Sequence, residues 1–188
     1  SMKTKKITLL TLVLSLLLPE INNLNAQTNT SMSEMLKSLS WRAIGPANMG
    51  GRVTDIDGVP GDPSTFYVSG ADGGIFKTTN GGVRFKPIFE NQRAYSIGAL
   101  TIAPSDKNIL WVGTGEGDPR NSVGYGWGVY KSIDGGISWK HLGLKNTERI
   151  KRIVVDPKDP NVACVCALGK EWGPNKERGV FKTIDGGK

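Results

Sequence analysis

Val129-Tyr130-Lys131-Ser132-Ile133-Asp134-Gly135-Gly136-Ile137-Ser138-Trp139-Lys140 reads as a strand, a tight turn and a second strand. Val129 to Lys131 suit a pleated ribbon, Asp134-Gly135-Gly136 is a hairpin signal, and Ile137 to Lys140 returns to residues that favour strands. The same text occurs twice more, at Phe76-Lys77-Thr78-Thr79-Asn80-Gly81-Gly82-Val83-Arg84-Phe85 and at Phe181-Lys182-Thr183-Ile184-Asp185-Gly186-Gly187-Lys188. The spacing is 54 residues from Asn80 to Asp134 and 51 from Asp134 to Asp185. A period of that length belongs to a propeller, a solenoid or an array.

Working outward from each turn gives the rest of the repeat. Val53–Asp57, Thr65–Val68, Gly74–Lys77 and Arg84–Phe89 read as four strands, with a Pro60-Gly61-Asp62-Pro63 turn after the first. The second repeat offers Ile97–Ala103, Ile109–Val112, Gly128–Lys131 and Ser138–Leu142. The third offers Arg152–Asp156, Val162–Val165 and Gly179–Lys182. Four short antiparallel strands in about fifty residues is the pattern of a propeller blade. The expected fold is therefore all-β, a β-propeller of four-stranded antiparallel blades with about two and three-quarter blades present. Residues 52–95 form blade 1, residues 96–148 blade 2, and residues 149–188 an incomplete blade 3. Trp41-Arg42-Ala43-Ile44-Gly45 matches the strands that follow the turns, so residues 41–51 read as a closing strand and linker. A blade needs a neighbour on each face, so the expected partners include the remaining blades of a longer chain.

Ahead of the repeats, Met2-Lys3-Thr4-Lys5-Lys6 precedes an apolar run from Ile7 to Leu18, and Leu24-Asn25-Ala26 suits a cleavage site. Residues 1–26 read as a secretory signal peptide rather than a membrane span. The expected location is exported: periplasmic, cell-surface or extracellular. Residues 27–40 read as a polar lead with a short helix at Ser33–Leu39. Without residues 1–26 the net charge falls from +7 to +5. The remaining lysines and arginines are spread out, which argues against a nucleic-acid partner. Cys164 and Cys166 fall on one face of one strand, poorly placed to bond each other, and read as small buried hydrophobes. With His141 the single histidine, no metal site and no cofactor is expected.

The turn text resembles the Asp-box (BNR repeat), Ser/Thr-x-Asp-x-Gly-x-Thr-Trp. Ser132, Asp134, Gly136 and Trp139 fill it, with Ser138 in place of threonine; Thr78, Asn80, Gly82 and Phe85 fill it more loosely; Thr183, Asp185 and Gly187 fill the half present. An acidic or amide oxygen there can accept backbone N–H groups, and the glycines allow positive φ, so the boxes are expected to be structural. Together with Trp41 to Pro46, Gly51-Arg52-Val53 and Gly113-Thr114-Gly115-Glu116, the boxes resemble the secreted bacterial sortilin-like propellers often labelled glycosyl hydrolases. That resemblance implies a multi-blade propeller with ligands at one face or in the central tunnel.

Strand order places the Pro-Asp turns and the boxes on one face and the irregular loops on the other. The loop of repeat two carries Glu116, Asp118, Arg120, Asn121, Tyr125 and Trp127. That of repeat three carries Lys170, Glu171, Trp172, Asn175 and Glu177. Arg52 opens an innermost strand on the same side, to touch a ligand or to pair with Asp55 or Asp72. Long polar and aromatic loops on a rigid scaffold are where binding resides. The ligand-binding candidates are Arg52, Glu116, Asp118, Arg120, Asn121, Trp127, Glu171 and Trp172, and the expected ligand is a protein, peptide or glycan. The alternative is a sialidase-like or xyloglucanase-like glycoside hydrolase using Asp72 or Glu116 with a carboxylate from elsewhere.

Overall fold

The computed structural model describes Lys37 and residues 51–188. The expected signal peptide, the Ser33–Leu39 helix apart from Lys37, and the Trp41–Gly45 strand lie outside the described residues. No helix occurs among the described residues, and none there is long and apolar enough to cross a membrane.

Three antiparallel meanders follow one another within the unit Ile44–Lys188. The first joins β1 (Val53–Gly58), β2 (Phe66–Gly70), β3 (Gly74–Thr78) and β4 (Lys86–Pro87). The second joins β5 (Ile97–Ala103), β6 (Asp106–Thr114), β7 (Val129–Ser132) and β8 (Lys140–Gly143). The third joins β9 (Ile150–Val155), β10 (Ala163–Ala167) and β11 (Gly179–Thr183). The first strands β1, β5 and β9 lie side by side, so the sheets stack face to face as successive propeller blades.

Two strands differ most from the sequence expectation. β4 shrinks to Lys86–Pro87, because Pro87 has no N–H to extend the ladder. β6 starts at Asp106, three residues before the expected Ile109; a register shift at Ile102/Ala103 lets it pair earlier.

The core lies between sheets. Tyr67, Ile75 and Phe89 of the first meander meet Leu100, Ile102, Leu110, Val112 and Tyr130 of the second. Ala99, Trp111 and Val129 of the second meet Ile150, Ile153, Val155 and Val165 of the third. Alternate residues of the second sheet thus serve opposite faces, which explains its near-continuous apolar strands. Gly98 marks a close approach between sheets: a Cβ there would run into the carbonyl oxygens of Ile150 and Gly115.

Hydrogen bonds between loops repeat from sheet to sheet and sort the two faces. On one face Gly81 N donates to Ser64 O, Gly135 N to Asn108 O and Gly186 N to Asn161 O, each at 2.9 Å. The box turns and the first-to-second turns therefore share that face. On the other, Ala71 N donates to Arg52 O (3.0 Å), Gly115 N to Ser96 O (2.7 Å) and Leu168 N to Arg149 O (2.9 Å). These bonds tie each second-to-third loop to the segment that enters its own sheet.

Cys164 and Cys166 are free and half-buried, not buried as expected. Their side chains share a sheet face with the exposed Val154 and Val180, and no described residue covers that face.

Candidate binding face

The box turns are closed by their own side chains. Ser132 Oγ donates to Asp134 Oδ1 (2.7 Å) and accepts from Gly136 N (2.9 Å). Asp134 Oδ1 also accepts from Ile137 N (3.0 Å) and Ser138 N (2.9 Å), and its Oδ2 accepts from Ser138 Oγ (2.5 Å). The Ser138 hydroxyl and backbone N–H stabilise the charged form and hold this carboxyl at about 2. Thr78 donates to Asn80 (3.0 Å) while Arg84 N donates to Asn80 Oδ1 (2.9 Å); Thr183 donates to Asp185 (2.8 Å) while Lys188 N donates to Asp185 Oδ1 (3.1 Å). Gly82 N and Gly187 N donate to Thr78 Oγ1 and Thr183 Oγ1. Phe85 packs edge-on against Phe66 within its sheet. Trp139 Nε1 reaches back to Ile88 O of the preceding sheet at 2.8 Å. With its acceptor lone pairs committed, Asp134 is poorly suited to proton transfer.

The opposite face is built differently. Arg52, just before β1, donates from Nε and Nη2 to both oxygens of Glu116 at 2.5–2.9 Å. Glu116 is 1% exposed, and the Arg52 side chain 45%. The partner of Arg52 is thus Glu116, neither Asp55 nor Asp72. Asp55 instead turns to the next sheet and accepts from Leu100 N (3.1 Å), as Asp57 accepts from Ile102 N (2.7 Å). Burial pushes the Asp57 carboxyl above its ordinary range.

Glu116 and Asp72 reach the same neighbourhood through Gly124. Glu116 N and Ser96 Oγ both donate to Gly124 O at 3.0 Å. A side chain at Gly124 would collide with Asp72 Oδ1 and Ser96. Asp72 is exposed, whereas the Glu116 carboxylate is enclosed. Along the same loop Asp118 accepts from Lys151 Nζ (2.5 Å), Arg120 and Asn121 are exposed, and Tyr125 extends into solvent. Trp127 does not offer a free indole: the Arg93 guanidinium lies 3.6 Å from its ring centroid.

The loop between β10 and β11 is the most heavily pinned. Arg178 donates to Leu168 O (2.8 Å) and Lys170 O (2.6 Å). Asn175 Nδ2 donates to Asn146 O (2.8 Å), and Glu177 accepts from Asn146 N (2.8 Å) and Thr147 N (3.0 Å). Glu171 pairs with the nearly buried Arg149 (3.5 Å), which also donates to Gly169 O. At the tip, between Glu171 and Gly173, Trp172 is 83% exposed. Gly173 takes φ +85°, the left-handed region glycine favours, and so turns the chain directly after the indole.

The structure therefore gathers Arg52, Asp72 and Glu116 into one neighbourhood and presents Trp172 on a separate loop. The sequence reading missed Arg93, Arg149, Lys151 and Arg178. All four are cations whose partners lie 8–34 residues away, and only Arg178 lies within its own loop, so no local motif marks them.

No protein-family model and no curated protein matches the chain. Solved structures do. The GH74 enzyme of Niastella koreensis is 21% identical, with a TM-score of 0.56 over 80% of this chain and 23% of that one. The GH74 xyloglucanase from Xanthomonas campestris is also 21% identical, with a TM-score of 0.52 over 79% of this chain and 21% of that one. YCF48 bound to D1 peptide is 17% identical, with a TM-score of 0.52 over 79% and 41%. The chain spans under a quarter of the two GH74 enzymes and two-fifths of YCF48. It is similar to these β-propeller proteins and shares their fold.

Proposed function

We propose that the chain is part of an exported, sortilin-like Asp-box propeller that binds a glycan or peptide through the face opposite its boxes. One observation carries this reading: Trp172 stands 83% exposed on a loop fixed by Arg178, Asn175, Glu177 and Glu171. An exposed indole on a mobile loop would pay an ordering cost on binding; on a pinned loop most of that cost is already met in folding. A flat indole stacks on a sugar ring or packs against an apolar peptide side chain. Arg120 and Asn121, exposed on the adjacent sheet's loop, add hydrogen-bond donors on the same face. Two neighbours in fold illustrate the two ligand classes, a xyloglucanase and a propeller bound to a peptide.

A hydrolase reading is second. It rests on Asp72, which is exposed beside Gly124. Glu116 serves it poorly, because a carboxylate held by two guanidinium nitrogens and closed to solvent cannot approach a glycosidic oxygen. Hydrolysis needs a second carboxylate across the sugar.

The test is a glycan and peptide array probed with the chain, Trp172→Ala and Asp72→Asn. The binding reading expects a ligand whose affinity falls at least tenfold in Trp172→Ala and is retained in Asp72→Asn. Turnover of xyloglucan oligosaccharides that vanishes in Asp72→Asn establishes the second reading. A ligand bound equally by wild type and Trp172→Ala removes the first.

A further inference from the structure

Two exposed tyrosines meet at the junction of the first two sheets, on the face opposite the boxes. Residues 93–96 lead into β5, and residues 124–127 lead toward β7. The two segments pass each other antiparallel: Ser96 Oγ donates to Gly124 O at 3.0 Å, and at the other end the Arg93 guanidinium lies over Trp127. That register sets Tyr95 opposite Tyr125. Along the first segment exposure alternates, with Arg93 and Tyr95 facing solvent and Ala94 and Ser96 buried. Tyr95 is 66% exposed and Tyr125 65%. Among the described residues neither ring stacks on another ring or on a cation, and neither hydroxyl has a hydrogen-bond partner.

Asp72 is tied to both. Gly74 N, in the same turn, donates to Tyr95 O at 2.7 Å. The Asp72 carboxylate lies against Gly124, the neighbour of Tyr125, where a Cβ would collide with its Oδ1. The carboxylate is exposed and, among the described residues, accepts no hydrogen bond and pairs with no cation. The two guanidinium groups nearby are engaged elsewhere, Arg52 on Glu116 and Arg93 on Trp127. A free carboxylate beside two phenol rings attracts a cation, because each ring carries negative charge on its face.

The geometry points to a subsite for one arginine side chain of a peptide or protein partner, its guanidinium paired with Asp72 and packed against Tyr95 and Tyr125. A guanidinium suits the place better than an ammonium. Its planar fork pairs with a carboxylate through two N–H groups, and its face stacks on a ring. The adjacent rung already holds that contact, with Arg93 3.6 Å from the Trp127 centroid, so an incoming guanidinium continues a stack that the chain itself begins. The subsite is separate from Trp172, which stands on the loop of the third sheet, so the ligand that Trp172 selects stays bound when Asp72 is changed.

The chain holds four tyrosines, and two of them, Tyr67 and Tyr130, are buried. Isotope-labelled tyrosine rings therefore give two reporters and two internal controls of folding by NMR. The labelled 188-residue chain is titrated with acetyl-Gly-Arg-Gly-amide and with the same peptide carrying citrulline, which keeps the shape and lacks the charge. The expected result is saturable shifts of Tyr95 and Tyr125 with the arginine peptide alone, while Tyr67 and Tyr130 stay fixed. Binding is expected to weaken about two- to fivefold in each of Asp72→Asn and Tyr125→Leu and to be unchanged in Trp172→Ala. Equal affinity for the two peptides, no loss in Asp72→Asn, or a loss in Trp172→Ala overturns the proposal. So does a xyloglucan oligosaccharide that shifts the two exposed rings where the arginine peptide does not, because the pair then stacks on sugar.

Discussion

Asp134 shows how a conspicuous acidic residue can be consumed by structure. Its oxygens accept from two backbone N–H groups and two hydroxyls. Unfolded, it ionises at about 3.9; folded, at about 2, chiefly through Ser138. A depressed folded pKa contributes stability that is fully present above the unfolded value and lost as pH falls through the folded one. Denaturant titrations from pH 5 to pH 2 are expected to show this loss in wild type and a smaller loss in Asp134→Asn. Asp57 has the opposite sign, since burial raises its pKa and its ionised form opposes folding above that value. Asp57→Asn keeps an acceptor for Ile102 N and removes the buried charge, so unfolding at pH 7 is expected to show unchanged or raised stability. Asp57→Ala leaves that N–H unpaired and is expected to cost about 1–3 kcal/mol. The Arg52–Glu116 pair behaves as a buried ion pair on its glutamate side. Arg52→Met strands the enclosed carboxylate and is expected to cost about 3 kcal/mol, whereas Arg52→Met with Glu116→Met recovers most of that loss. Full stability in the Arg52 single variant would show that the pair carries little.

At the scale of elements, the sheets hold one another by a repeated clasp. Lys77, cross-strand from Tyr67, donates to Gly135 O at 3.1 Å, and Lys131, cross-strand from Trp111, donates to Asn161 Oδ1 at 3.1 Å. Both ammonium groups also sit over their aromatic partner. Trp139→Phe keeps the packing but loses the bond to Ile88 O, an expected cost of about 1 kcal/mol; Trp139→Ala is expected to cost about 3–5 kcal/mol. Equal losses in the two, measured by urea unfolding, would contradict the indole's packing role. These elements were largely legible in the sequence. The turn repeats set the period, and working outward from them places all eleven strands within three residues of where they end. Pro87 should have shortened β4 in advance, since its missing N–H is a local fact. The site was less legible. From its polar loop Glu116 reads as an open acid, but its partner lies 64 residues away and its burial is set by packing between sheets. Trp172 is legible as a candidate, but the bonds that fix its loop come from Asn146, Thr147 and Arg149, which precede the sheet that carries the loop.

For the whole molecule, two faces of one scaffold divide the work. One is regular, with box turns and Pro-Asp turns bonded at the same distance in every sheet. The other varies, and its variation is held in place by ion pairs and side-chain bonds to backbone. The boxes look like the site, yet their polar groups are spent within the turn; the irregular loops carry the side chains still available to a ligand. The most direct test follows the tryptophan indole N–H signals by NMR during titration with the best ligand from the array, xyloglucan oligosaccharides included. The account predicts that the Trp172 signal shifts with saturation while that of Trp139, bonded to Ile88 O, stays fixed. A shift confined to Trp139 and the backbone of Asp134–Ser138, with Trp172 unmoved, would contradict it.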